Sequence, residues 1–341
     1  MIQRTDKDRS TEAGLAKPTG YANLSEKPGS LERDGGNISV SRAKPAWAMP
    51  IWTPALTIVA ALWFLAACGG GQIQPAAPSK GEGKLLVVTT TALLADLVEN
   101  VGREWVEARS LVPPGADVHS FQTTPEDSIA INRAQVIVTN GFGLDAFLEP
   151  VLESARGKNS VRVVAAEGLM PGEDDPHLWQ NPEFAIRYVE RIRDGLVAAD
   201  PEHETQFGVN AQTYINQLRE LDLELAQILG QVKPELRHLI TYHDAFGHLA
   251  ERYGWQASAF VASDADEVSP AAVVEILDRL NQQGIPVIFV GPQFSSDVIH
   301  RAAEDSGIAI ETLYSGISEN GATSYIEMMR LNARALAENL R

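Results

Sequence analysis

The chain is poor in the features that mark several large functional classes. Cys68 is the single cysteine in 341 residues, which excludes an intrachain disulfide, a Cys-rich zinc module and a Cys-x-x-Cys redox pair. Basic residues are scarce: 28 Lys and Arg stand against 45 Asp and Glu, for a net charge of −17. Phosphate recognition needs clustered cations, so this balance argues against a nucleic-acid partner. There is no His-Glu-x-x-His, no Gly-x-Ser-x-Gly and no Gly-rich phosphate loop, so three common hydrolase and nucleotide chemistries lack their usual scaffolds. What is present is ordinary globular usage, 44% apolar, 21% charged and 7% aromatic, with length enough for two domains or lobes.

The charge is unevenly spread. Residues 1–67 carry eight basic and six acidic side chains, net +2, and the rest carry 20 basic and 39 acidic, net −19. From Ile51 to Ala67 runs an uncharged stretch of 17 residues, preceded by Arg42 and Lys44 and followed by Cys68. That is the layout of a secretory signal, and 17 residues is short for a spanning helix. Leu65-Ala66-Ala67-Cys68 resembles the lipobox of bacterial lipoproteins. The resemblance implies cleavage before Cys68, lipid on its thiol, and a folded body tethered outside the cytoplasmic membrane. Residues 1–67 therefore read as leader, and 68–84 as lipidated cysteine plus a Gly/Pro/Ser/Ala linker.

From Leu85 onward, short apolar runs alternate with helical patterns. Strands are expected at 85–90, 106–112, 136–140 and 161–166, with helices from Ala92 and Pro125, over 144–155, and after Pro182. Alternation of this kind implies a parallel sheet. From His203 to Val232 the apolar residues Tyr214, Leu218, Leu221, Leu225, Ile228 and Val232 fall at steps of three and four, the period of one long helix. A second series follows, with strands at 238–242, 255–262, 286–290 and 308–314 and helices from Ala245, Pro270, Ser295 and Thr323. The expected fold is α/β, two parallel-sheet lobes at 85–202 and 236–341 joined by a long rigid helix within 203–235. Ligands of open parallel sheets bind beyond the carboxyl ends of the strands, so the loops there matter most.

Three of the seven histidines fall in such loops. His119 follows the second strand, His177 follows the fourth, and His243 ends the first strand of the second series. Separations of 58 and 66 residues form no local motif, but three imidazoles converging on one cleft make a nitrogen-rich site suited to zinc or a neighbouring divalent ion. His203 at a helix start, His238 at a strand start and His300 on a helix face read as structural. His248 lies five residues beyond His243, about 140° away if both were on one helix, so the two would not share a face.

The segments VPPGADVHSFQTTPED, DPHLWQNP, TYHDAFGHLAERYG, VSPAAVVEILDRL, PQFSS and YIEMMRLN occur in an order that resembles the zinc- and manganese-binding solute receptors of bacterial ABC transporters. The resemblance covers essentially all of 85–341. It implies a non-enzymatic, monomeric lipoprotein whose inter-lobe cleft holds one divalent ion for delivery to a membrane permease, with His119, His177 and His243 at the family's three histidine positions. It also implies a carboxylate near Gly316 and often a Glu at Gly291, and this chain has neither. The fourth ligand is then Glu319, Asp264, Asp266 or a water. A site this rich in nitrogen favours Zn²⁺ over Mn²⁺. Asp175 and Asp244 are expected to orient the adjacent histidines. The competing readings are a zinc hydrolase, in which three histidines leave a fourth position open, and a metal-binding surface adhesin.

Overall fold

The computed structural model describes residues 83–169, 175–261, 273, 274, 277, 282, 284, 286–294 and 297–340. The leader, Cys68, the linker to residue 82, Asp264, Asp266 and most of the helix expected from Pro270 lie outside them. No helix among the described residues is long and apolar enough to cross a membrane.

The first lobe comprises β1 (Leu85–Thr91), α1 (Ala92–Gly102), β2 (Val106–Val112), α2 (Pro125–Arg133), β3 (Val136–Thr139), α3 (Glu149–Ala155), β4 (Val161–Val164) and α4 (Pro182–Ala199). Its four strands are parallel in the order β2-β1-β3-β4. The second lobe repeats the plan with β5 (His238–His243), α6 (Gly247–Tyr253), β6 (Gln256–Val261), β7 (Val287–Val290), α7 (Asp297–Ser306) and β8 (Ala309–Thr312), again parallel and in the order β6-β5-β7-β8. Between the lobes runs α5 (Glu204–Leu229), of 26 residues, and the chain closes with α8 (Tyr325–Asn339).

Parallel sheets flanked by helices are covered on both faces, and the central strands show it in their composition. All four residues of β3, VIVT, are buried, as are all four of β7, VIFV. Helix starts are written locally. Thr124 and Asp127 form a reciprocal capping box ahead of Pro125, and Asn181 caps α4 ahead of Pro182, both arrangements satisfying N–H groups that a helix start leaves open. Gly195 lets α4 close on β4, since a Cβ there would sit 2.2 Å from Val163 Cγ2.

The apolar stripe of α5 buries Phe207, Ala211, Tyr214, Ile215, Leu218, Leu221, Leu225 and Leu229 in a core continuous with residues of both lobes. Polar links then pin the helix on each side. Asp222 accepts from Arg252 Nε at 3.0 Å and from Tyr253 Oη at 2.9 Å, both on α6, while Arg252 also reaches Glu183 of α4 at 3.3 Å. Asp96 of α1 accepts the Tyr325 N–H at 3.0 Å and the Tyr214 hydroxyl at 3.4 Å. Burial raises the Asp96 pKa, with the hydrogen bonds only partly opposing it. A helix bonded to both lobes along its length resists hinge motion.

Candidate metal centre

Each of the three histidines is placed by local chemistry at the carboxyl edge of its sheet. The loop after β2 is tied to the second lobe by Gly115 N–H donating to the Ile317 carbonyl at 2.8 Å, and Asp117 Oδ1 accepts the His119 N–H at 3.1 Å. His177 precedes a single 3-10 turn, Leu178–Gln180. Behind it, Asn140 Nδ2 donates to the Pro176 carbonyl at 3.0 Å and accepts at Oδ1 from the Tyr188 hydroxyl at 2.8 Å. The Asn140 turn is itself held by the buried Asp145, which accepts from Thr90 Oγ1 at 2.9 Å and Gly141 N at 3.1 Å. His243 is the last residue of β5, where the Thr241 hydroxyl donates to its carbonyl at 2.9 Å.

These loops bring the rings together. Centroids of His177 and His243 lie 5.2 Å apart, His119 and His243 5.2 Å, and His119 and His177 5.7 Å. One nitrogen from each falls within 4.8 Å of the others. The Nε2 atoms of His177 and His243 are 3.4 Å apart. Tetrahedral zinc with bonds of about 2.0–2.1 Å separates its ligand nitrogens by about 3.3–3.4 Å, so this pair already stands at zinc-bridging distance. His177 and His243 are buried and His119 half-buried.

Electrostatics keep the site ready for a cation. Burial drives the His243 pKa down to about 3, helped by the neighbouring His177 and His119, so this imidazole stays neutral at any physiological pH. Asp175 Oδ1 lies 2.7 Å from His177 Nδ1 and accepts the His177 backbone N–H at 2.9 Å. Burial alone would raise the Asp175 pKa, but the bonds and charge of His177 outweigh it and hold it below the usual value. A carboxylate at Nδ1 fixes the tautomer that leaves Nε2 free to coordinate. Trp179 stands edge-on to His177 at 5.2 Å, and Phe294 covers His243 at 4.9 Å. Nothing in the sequence distinguishes either aromatic beyond its place in DPHLWQNP or PQFSS.

The three rings line a cavity whose space for water-sized occupants is about 60 Å³. Among the described residues, only the three histidines form a metal-competent group. Gly316 lines the cavity, and a Cβ built on it meets no described atom within 4 Å. At Gly291 a Cβ would lie 2.7 Å from Gln293 Oε1, because that side chain folds back to donate from Nε2 to Ser315 Oγ at 2.9 Å. Glu319 is exposed and is not part of the cavity wall, so the structure does not bring it to the histidines. Asp117, which the sequence did not single out, does line the cavity. Asp244 is exposed.

The remaining histidines lie elsewhere. His203 stacks on Trp105 at 3.8 Å and contacts Asp200 Oδ2 at 2.7 Å, and His238 Nε2 meets Ser258 Oγ at 2.9 Å. His300 is exposed on α7. His248 is different. It is buried behind His177 and in contact with the Asp175 backbone.

Across the cleft the lobes are bonded directly. Trp179 Nε1 donates to the Ser315 carbonyl at 2.8 Å, and the Tyr325 hydroxyl donates to the Trp179 carbonyl at 2.8 Å.

Comparisons with known proteins agree with this architecture. The chain is 30% identical over 302 residues to the manganese ABC transporter substrate-binding lipoprotein PsaA of Streptococcus pneumoniae, covering 83% of this chain and 96% of that one. It is 31% identical over 238 residues to the iron-binding protein YfeA of Yersinia pestis, covering 67% and 76%. Among solved structures, the periplasmic zinc-binding protein TroA of Treponema pallidum superposes with a TM-score of 0.70 at 26% identity, over 76% of this chain and 99% of that one. Residues 87–339 match the family model of the zinc-uptake complex component A, periplasmic (ZnuA), and the chain belongs to that family of metal-binding ABC-transporter solute receptors.

Proposed function

We propose that the protein captures one divalent metal ion, Zn²⁺ in preference to Mn²⁺, and delivers it to the permease of an ABC importer. The carrying observation is the 3.4 Å spacing of the His177 and His243 Nε2 atoms, with His119 beside them. His119 and His177 come from the first lobe and His243 from the second. The relatives are named for manganese, iron and zinc, so the preference rests on this chain's own donors. The ligand group found among the described residues is three imidazoles with no carboxylate in it, which suits zinc, whereas manganese favours more oxygen. Capture needs neutral rings, and burial supplies that at His243.

In this reading the body works as a monomer outside the cytoplasmic membrane, held by lipid on Cys68. The hydrolase alternative would use the same three histidines, but the chain carries neither His-Glu-x-x-His nor Gly-x-Ser-x-Gly beside them. Elemental analysis of the protein after purification from its native host, with competition titrations of Zn²⁺ against Mn²⁺, tests the proposal. One equivalent of zinc held more tightly than manganese is expected, and a stronger hold on manganese would overturn the preference.

A further inference from the structure

We propose that His248 is a positioning residue for metal capture: from the second lobe it holds the Asp175 turn, and through Asp175 it fixes the imidazole of His177 in the first. The inference rests on the metal-capture reading and adds a residue to it. His248 Nε2 lies 3.0 Å from the Asp175 backbone carbonyl. A carbonyl only accepts, so Nε2 carries the proton and donates it. The same nitrogen stands 3.7 Å from Asp175 Oδ2, a buried oxygen that accepts no hydrogen bond among the described residues. The ring is 2% exposed and meets Phe184 of α4 edge-on at 5.7 Å. One residue earlier, a Cβ on Gly247 would lie 3.1 Å from that Oδ2. The start of α6 is thus seated on the Asp175 turn.

The short segment from His243 to His248 therefore reaches His177 on two sides. At its first residue, His243 faces the Nε2 of His177. At its last, His248 grips the residue whose carboxylate holds the Nδ1 of His177. A displacement of this segment disturbs two of the three histidines at once, which gives the second lobe a direct way to loosen a ligand belonging to the first.

The test uses zinc competition titrations together with nitrogen NMR of the His177 imidazole in metal-free protein. His248→Leu fills the volume without a donor and should weaken zinc binding about ten- to hundredfold, the usual range for groups that orient a ligand. It should also lower the population of the Nδ1–H tautomer of His177. His248→Gln, whose amide replaces the Nε2–H, should stay within about threefold of wild type. In an Asp175→Asn background, His248→Leu should weaken binding by no more than about twofold further, because the shared route is already broken. An equal loss in both backgrounds, or an unchanged His177 tautomer alongside a lowered melting temperature, would reduce His248 to a packing residue. If His248→Leu does not fold, His248→Asn, with its shorter reach, replaces it in each comparison. His177→Ala separates the two claims. Should it abolish zinc binding while His248→Leu binds normally, only this inference fails; should it bind as wild type does, the site itself is misassigned.

Discussion

Acidifying the metal-free protein should destabilise it through His243. The group is held neutral by burial, with its pKa lowered from 6.5 to about 3. Below pH 6.5 the unfolded chain takes up a proton there that the folded chain refuses, so stability rises with pH across the window from about 3 to 6.5 and falls as pH drops through it. With those two values, the contribution lost between pH 7 and pH 5 is about 2 kcal/mol, a substantial share of the about 5–15 kcal/mol by which domains are stable. Urea unfolding of chelator-treated protein at both pH values measures it, with His243→Gln as the reference that lacks the titrating ring. Wild type should lose about 2 kcal/mol more than the variant. Equal losses would show that His243 is not held neutral by its surroundings, and the argument for a ready-made neutral donor would fall with it.

Further outcomes follow from the same geometry. Gly316→Asp places a carboxylate in the cavity where a Cβ meets no described atom, and calorimetry should show tighter zinc binding; weaker binding would mean that Gly316 does not face the ion. Because α5 is bonded to both lobes and Trp179 bonds across the cleft to Ser315, solution scattering of metal-free and zinc-loaded protein should nearly coincide, and a radius change of the kind wide domain closure gives would contradict that rigidity. Mass spectrometry of membrane-extracted protein should find Cys68 as a lipid-bearing N-terminus, whereas an intact leader in the native host would exclude the anchor.

Much of this architecture was legible because parallel strands buried on both faces are written as short apolar runs, as VIVT and VIFV are. Their ends were less legible. The strand expected over 308–314 stops at Thr312 because Tyr314 exchanges both its backbone groups with the Asn332 side chain, at 2.8 Å each, and no sequence period announces a partner 18 residues away. The helix expected over 144–155 opens instead as a 3-10 turn at Ala146–Leu148 before α3. The three clustered histidines were readable from their places after strands. His248 was not, because a helical period sets it on another face from His243, whereas His243 ends a strand and the chain turns before α6 begins. Asp117 carried no signal beyond its nearness to His119.

The most direct test of the account is zinc competition titration of His243→Ala beside wild type at neutral pH. Removing the ring deletes one of three nitrogen donors and, among the described residues, the second lobe's one contribution to the group, so affinity should fall by orders of magnitude, while His203→Ala, His238→Ala and His300→Ala remain close to wild type. Unchanged zinc affinity in His243→Ala would contradict the claim that these three histidines form the site.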